Sequence, residues 1–144
     1  MLVQQILKAK GDDGVVTVKP GTLISEASQI LAERRIGGVL VSEDGQTARG
    51  ILSERDIVRA LAVRGAVCLE DKVDDLMTAN PVCCTRDDTA DNVLTRMTEG
   101  RFRHMPVVEK GVLVGIVTIG DVVKARLEEL SMERNALEGM IMGH

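Results

Sequence analysis

One nine-residue pattern recurs in this chain. Gly50-Ile51-Leu52-Ser53-Glu54-Arg55-Asp56-Ile57-Val58 returns, 65 positions later, as Gly115-Ile116-Val117-Thr118-Ile119-Gly120-Asp121-Val122-Val123. A repeat of that period within 144 residues calls for two copies of one supersecondary unit, each too poor in apolar residues to stand without the other. Upstream, Thr22 aligns with Thr89, Arg34 with Arg101 and Val41 with Val108 at a spacing of 67, which puts two extra residues in the Ser42–Arg49 turn of the first copy.

Local patterns give each copy the same order of elements. Val15 to Val18 is β-branched and runs into Lys19-Pro20-Gly21, so it reads as a strand ending in a turn. Leu23, Ala27, Ile30 and Leu31 share one helical face. Gly37–Val41 and Ala48–Leu52 read as strands joined through Glu43-Asp44-Gly45, and Glu54–Val63 as a closing helix. The second copy offers a strand at Val82–Cys84, a helical face of Ala90, Val93, Leu94 and Met97, strands at Met105–Val108 and Val112–Val117, and a long terminal helix. The expected fold is α+β: two β-α-β-β-α motifs packed sheet to sheet by a pseudo-twofold, with a long C-terminal helix. The expected boundaries are 9–66 for the first motif, 67–80 for a linker with a short helix at Val73–Met77, 81–128 for the second motif and 129–144 for the helix extension.

Charge and composition remove several function classes. Eighteen Lys and Arg against 22 Asp and Glu leave a net charge of -4, so no global basic field attracts a nucleic-acid polymer. Phe102 is the single aromatic residue, which predicts that a planar ligand is gripped by aliphatic walls rather than by stacking. Cys68, Cys83 and Cys84 are odd in number and contain no C-x-x-C, which speaks against a disulfide framework or a zinc site and for a reducing, cytoplasmic setting. Adjacent residues of a strand point to opposite faces, so Cys83 and Cys84 are expected to include a buried apolar thiol rather than to form a vicinal disulfide. Met1–Lys10 lacks the apolar core of a secretion signal, and no stretch approaches the roughly 20 apolar residues of a membrane span. His104 is the one interior histidine beside the terminal His144, and no hydrolase, zincin or Walker motif occurs, so an enzyme is not expected.

Ser53-Glu54-Arg55-Asp56 and Thr118-Ile119-Gly120-Asp121 fall where a strand gives way to a helix. Two readings fit them equally by spacing. In one, the hydroxyl caps the helix and the carboxylate reaches back to complete the box. In the other, the free N–H groups and positive dipole of the helix start receive a phosphate, and the carboxylate accepts the two vicinal hydroxyls of a ribose.

These duplicated turns, together with Arg103-His104-Met105-Pro106-Val107-Val108, resemble the cystathionine-β-synthase (CBS) domain, and the tandem is similar to the small stand-alone bacterial CBS pairs known as Bateman modules. The likeness spans about Val15 to Arg126. It implies a regulatory, energy-sensing protein that needs no cofactor and binds AMP, ADP or ATP, with NAD and S-adenosylmethionine as further candidates, in clefts between the motifs. It further implies that Asp56 and Asp121 take ribose hydroxyls, that Ser53 and Thr118 face phosphate, and that the base meets backbone at Val16 and Thr17 or at Val82 and Cys83. Ile51 and Ile116 would wall the base. Arg103 and His104 would be phosphate cations of the second cleft, where the first copy has Gly37 and Gly38, with Arg55 and Lys10 as further phosphate contacts or as plain surface charges. The alternative is a docking module with vestigial clefts. Val123, Leu127, Leu130, Leu137 and Ile141, interrupted by Arg134, form a stripe on the last helix that predicts a homodimer, with an unnamed target protein as a further partner.

Overall fold

In the computed structural model, which describes residues 1–11 and 15–141, both copies of the repeat run from a strand straight into a helix. His144 and the end of the expected 129–144 extension lie outside the described residues. Helix α1 (Val3–Lys10) comes first, followed by β1 (Thr17–Val18), α2 (Ile24–Arg34), β2 (Gly38–Val41), β3 (Gly50–Ser53) and α3 (Glu54–Arg64). A 3-10 segment at Gly65–Glu70, α4 (Val73–Leu76) and β4 (Thr78–Ala79) lead into the second copy, which comprises α5 (Ala90–Gly100), β5 (His104–Glu109), β6 (Val112–Thr118) and α6 (Ile119–Ile141). The fold is the α+β arrangement expected, with a four-stranded sheet in the order β1-β2-β3-β4 and a two-stranded sheet β5-β6. β1 runs parallel to β2, and Cys84 makes the corresponding parallel bridge to Val107, so the expected strand at Val82–Cys84 shrinks to a single bridge.

The sheet registers refine the repeat. β2 pairs Gly38 with Ser53 and Val41 with Gly50; β5 pairs His104 with Thr118 and Val107 with Gly115. Gly38 therefore corresponds to His104 and Val41 to Val107, a spacing of 66. α2 and α5 keep that spacing and end alike, on Arg35 and Arg101 in the left-handed region. The first-copy turn is thus longer by one residue, not two. A β-bulge follows in the second copy, where Val107 pairs with Gly115 but Val108 with Leu113, leaving Val114 as an extra residue on β6.

What the linear order hides is a crossing. α1 precedes the first copy but packs on the second: Val3 N donates to Asp88 O, Ala90 N donates to Met1 O, and Val3 and Ile6 are buried with Val93, Met97, Met105 and Val117. α4 does the same for the first copy, with Val73 N donating to Thr22 O, Ile24 N donating to Asp71 O, and Val73 buried among Val39, Leu52 and Ile57. The segment expected to be a linker is therefore a structural part of the first sheet and core. Between the sheets lies a third cluster, Leu40, Ile51 and Leu113 with Val15, Ala48, Val108 and Ile116 against it, and Leu113 N donates across the seam to Gln46 O at 2.7 Å.

The glycine that opens each repeated string belongs to this crossing. A Cβ on Gly50 would lie 2.2 Å from Met77 Sδ, just after α4, and one on Gly115 would lie 2.7 Å from Leu7 Cδ2 of α1. Each glycine lets a strand approach the incoming segment. Gly50→Val and Gly115→Val should each lower stability by about 1–3 kcal/mol through overpacking, read as a drop in urea midpoint at constant slope. The corresponding alanines should cost less, because Met77 and Leu7 can swing aside.

Candidate functional site

Ser53 leaves β3 in extended backbone and caps α3. Its N–H donates to Asp56 Oδ2 at 2.9 Å, its hydroxyl donates to the same oxygen at 3.1 Å, and Asp56 N donates back to Ser53 Oγ at 3.4 Å. The second turn repeats the pattern, with Thr118 N donating to Asp121 Oδ2 at 2.9 Å and Asp121 N donating to Thr118 Oγ1 at 3.1 Å. The capping geometry is therefore present at both junctions. It also holds each carboxylate by one oxygen at the helix start, which is where a bound sugar and phosphate would need it.

A cleft of about 250 Å³ opens beside the first turn. Ile51, Ser53, Arg55 and Asp56 from the first copy meet Val82, Arg103 and His104 from the second. Thus Arg103 and His104 share a cleft with Ser53 and Asp56 rather than only with Thr118 and Asp121. The physical reason is the pseudo-twofold, which carries the start of β5 over the start of β2: His104 Nε2 lies 3.2 Å from where a Cβ on Gly37 or Gly38 would stand. The two glycines are the space that this imidazole fills. A second cleft, about 230 Å³, gathers Lys10 and Asp121 with Met1, Ile6, Lys124 and Glu128. Thr118 reaches it through its bonds to Asp121. Val16, Thr17, Cys83 and Ile116 line neither of these clefts: Val16 and Thr17 sit at the β1 edge paired to β2, Ile116 packs in the seam between the sheets, and the Cys83 carbonyl accepts from Arg96.

The first cleft also holds residues that the sequence reading passed over. Arg59, Thr78, Asn80, Pro81, Gly100, Arg101 and Phe102 complete its wall. The expectation of purely aliphatic walls is corrected here, since the one aromatic side chain of the protein lies in the cleft. Arg59 was open to discovery from spacing alone: it stands one turn beyond Arg55 and Asp56, on the same side of α3.

Electrostatics separate the two carboxylates. Lys10 Nζ pairs with Asp121 Oδ2 at 2.8 Å and donates to Ile116 O at 2.9 Å. Burial pushes the Asp121 carboxyl up, but the Lys10 ammonium and the Thr118 donors outweigh it and hold it below the ordinary carboxylate range. Burial pushes His104 below its usual value, with Glu54 opposing the change and Lys10 and Arg103 reinforcing it. The imidazole is therefore neutral near pH 7. Burial likewise raises the Cys83 thiol and drives Cys84 up to about 12, so both are protonated and unreactive at neutral pH.

Two stretches, 11–63 and 73–128, each match the CBS domain family, one per copy of the repeat. The chain belongs to that family. Among solved structures of the CBS family, it is 48% identical to the CBS-domain protein ATU1752 from Agrobacterium tumefaciens, with a TM-score of 0.82 over 88% of this chain and 99% of the other. The CBS domain protein PAE2072 from Pyrobaculum aerophilum, solved in complex with AMP, is 27% identical with a TM-score of 0.78, covering 92% of this chain and 99% of that one. The CBS domain pair of protein MJ0100, solved with 5-methylthioadenosine and S-adenosyl-L-methionine, is 27% identical with a TM-score of 0.76 over 90% and 98% of the two chains. CBSCBSPB2 of Arabidopsis thaliana is 32% identical over 86% of this chain, which spans 23% of the length of that relative.

The pH response follows from the two displaced groups. His104 binds its proton less readily in the fold than when unfolded, so its contribution to stability is present above pH 6.5 and is lost as pH falls from there through its lowered value. Asp121 is also lowered, so its contribution is present above about 3.8 and is lost on further acidification. Urea titrations should show a loss beginning just below pH 6.5 that His104→Asn removes, and an acid loss that Lys10→Met diminishes. A flat stability profile between pH 5 and 7 in the native chain would contradict the burial of His104.

Proposed function

We propose that this CBS pair is a regulatory module that binds an adenine nucleotide, AMP, ADP, ATP or NAD, in the cleft beside Ser53 and Asp56, and that it is not an enzyme. The observation that carries this reading is the junction itself: the capped Asp56 carboxylate of one motif faces the Arg103-His104 entrance of the other across one cavity. Asp56 would accept the ribose hydroxyls, Ser53 and the start of α3 would meet phosphate, and Ile51, Val82 and Phe102 would enclose the base. The AMP in the Pyrobaculum structure and the S-adenosylmethionine in that of MJ0100 support an adenosyl ligand for the family. The second cleft would bind more weakly, because Lys10 already occupies Asp121.

At 100 times its dissociation constant a single-site nucleotide adds about 2.7 kcal/mol, which should raise Tm by about 5–10 °C. Asp56→Ala should abolish most of that shift for AMP and for adenosine alike, since both carry the ribose, while Asp121→Ala should leave most of it. Absence of any shift with AMP, ATP, NAD and S-adenosylmethionine at millimolar concentration would favour the docking reading, in which the clefts are vestigial.

The module would act as a homodimer on a further target protein, in a cytoplasmic, reducing setting that suits its three free thiols. Leu127, Leu130, Leu137 and Ile141 are 62%, 49%, 60% and 84% exposed on α6, and Val123 is exposed beside them. Val58 of α3 is exposed as well, at the position that the repeat equates with Val123. Leu127→Glu with Leu137→Glu should convert the dimer to a monomer in light scattering; an unchanged mass would place the interface elsewhere. Among the described residues no helix is long and apolar enough to cross a membrane.

A further inference from the structure

The first cleft carries more positive charge than a nucleoside monophosphate requires. Arg55, Arg59, Arg101 and Arg103 line it, and Asp56 is the single carboxylate in the lining. None of these four guanidinium groups enters an ion pair among the described residues; Arg34, Arg35 and Arg86, outside the cleft, are also without one, so what distinguishes the four is that they share one cavity. A guanidinium stays charged at every working pH, so four positive charges face one negative charge. The placement of two of them also works against the fold. Arg55 and Arg59 are like charges four residues apart on α3, an unfavourable helical spacing. Arg101 sits in left-handed backbone (φ 58°), as its counterpart Arg35 does outside the cleft (φ 53°), so that conformation belongs to the repeat and only the reach of the Arg101 side chain belongs to the cleft. A chain of net charge -4 has thus collected four unpaired arginines around one cavity.

Resting on the adenosyl reading of this cleft, we infer that its ligand carries a chain of two or more phosphates, and that the four arginines select such a tail over a monophosphate and over a sulfonium. One phosphate brings about 1.5–2 negative charges, fewer than the excess in the lining, so a second and a third still find unpaired guanidinium donors. A sulfonium adds another positive charge to the same wall. The second cleft has no such surplus: Lys10 and Lys124 are matched in its lining by Asp121 and Glu128. The polyphosphate preference belongs to the first cleft alone, with one such ligand per chain.

Calorimetry at one ionic strength with adenosine, AMP, ADP, ATP, S-adenosylmethionine and inorganic triphosphate tests this on the full chain. ATP should bind at least tenfold tighter than AMP, with S-adenosylmethionine weaker than adenosine, and ATP should bind with a stoichiometry of one. Arg59→Gln and Arg101→Gly should each weaken ATP and inorganic triphosphate by about 10- to 150-fold, the worth of one charge-assisted bond, and leave adenosine within twofold. Arg101→Gly suits the left-handed backbone, so folding is not at risk in that variant. AMP binding as tightly as ATP, or variants that lose adenosine and ATP equally, would overturn the polyphosphate assignment while leaving the adenosyl reading intact. Inorganic triphosphate binding without adenosine would overturn the adenosyl reading and keep the cationic cradle. No heat with any of the six would overturn both.

Discussion

The seam between the two sheets is the constraint on which the rest of the molecule depends. Leu40, Ile51 and Leu113 are buried there, and the Leu113 N–H to Gln46 carbonyl bond fixes how one copy sits on the other. Neither sheet could keep this face in water, since each copy contributes only a few strands and a few large apolar side chains. The functional cleft is a consequence of the same contact. Ile51 belongs at once to the seam and to the cleft wall, so the floor of the cavity is the rim of the core. A change in how the sheets meet would therefore move Ser53 and Asp56 relative to Arg103 and His104, which is the physical route by which a bound ligand could be reported at the surface.

The crossing of α1 and α4 strengthens that seam in a way that burial alone would not. Each segment docks on the copy farther from it or behind it in sequence, and each donates and accepts backbone hydrogen bonds at the start of a helix, where orphan N–H groups need partners. Leu2 bridges Thr89 and Lys72 bridges Leu23 in the same antiparallel sense, so the two halves use one device twice. Gly50 and Gly115 make room for it. The glycine at the head of the repeated string is thereby explained by packing, while the hydroxyl and carboxylate further along are left for the cleft.

Much of this was legible from residues alone, because the features that recur are chemically distinctive. A strand ending in a hydroxyl residue followed three positions later by aspartate states its geometry directly, and both turns form as their spacing demands. The crossing was not legible: α1 is eight residues long, contains Gln4, Gln5 and Lys8, and buries only Val3 and Ile6, so its apolar signal is too short to announce a partner fifty or more residues away. The spacing of 67 rested on identical residues at Thr22 and Thr89, Arg34 and Arg101, and Val41 and Val108, whereas the helices and strand pairs set it at 66, since a strand's register is set by its neighbour and not by its own sequence. Phe102, Arg59 and Arg101 were missed for another reason. Arg101 is an ordinary surface residue by type, Phe102 reads as a core residue and packs on the second core, and only the pairing of the two copies brings them to one cavity with Arg59.

The capping and ligand readings of the two turns prove to be one arrangement with different surroundings. In both, the backbone N–H of the capping residue holds one carboxylate oxygen, joined at Asp56 by the Ser53 hydroxyl, and the capping hydroxyl accepts from the aspartate N–H. At Asp121 the lysine of α1 completes the pair from within the chain, so a ligand there must displace Lys10 before its hydroxyls can be accepted. At Asp56 no cation does so among the described residues, although four arginines line the same cavity. A carboxylate open to hydroxyl donors beside guanidinium groups open to phosphate acceptors is matched by one molecule that offers both along its length. Duplication made the two sites alike, and the charges gathered around each have made them unequal.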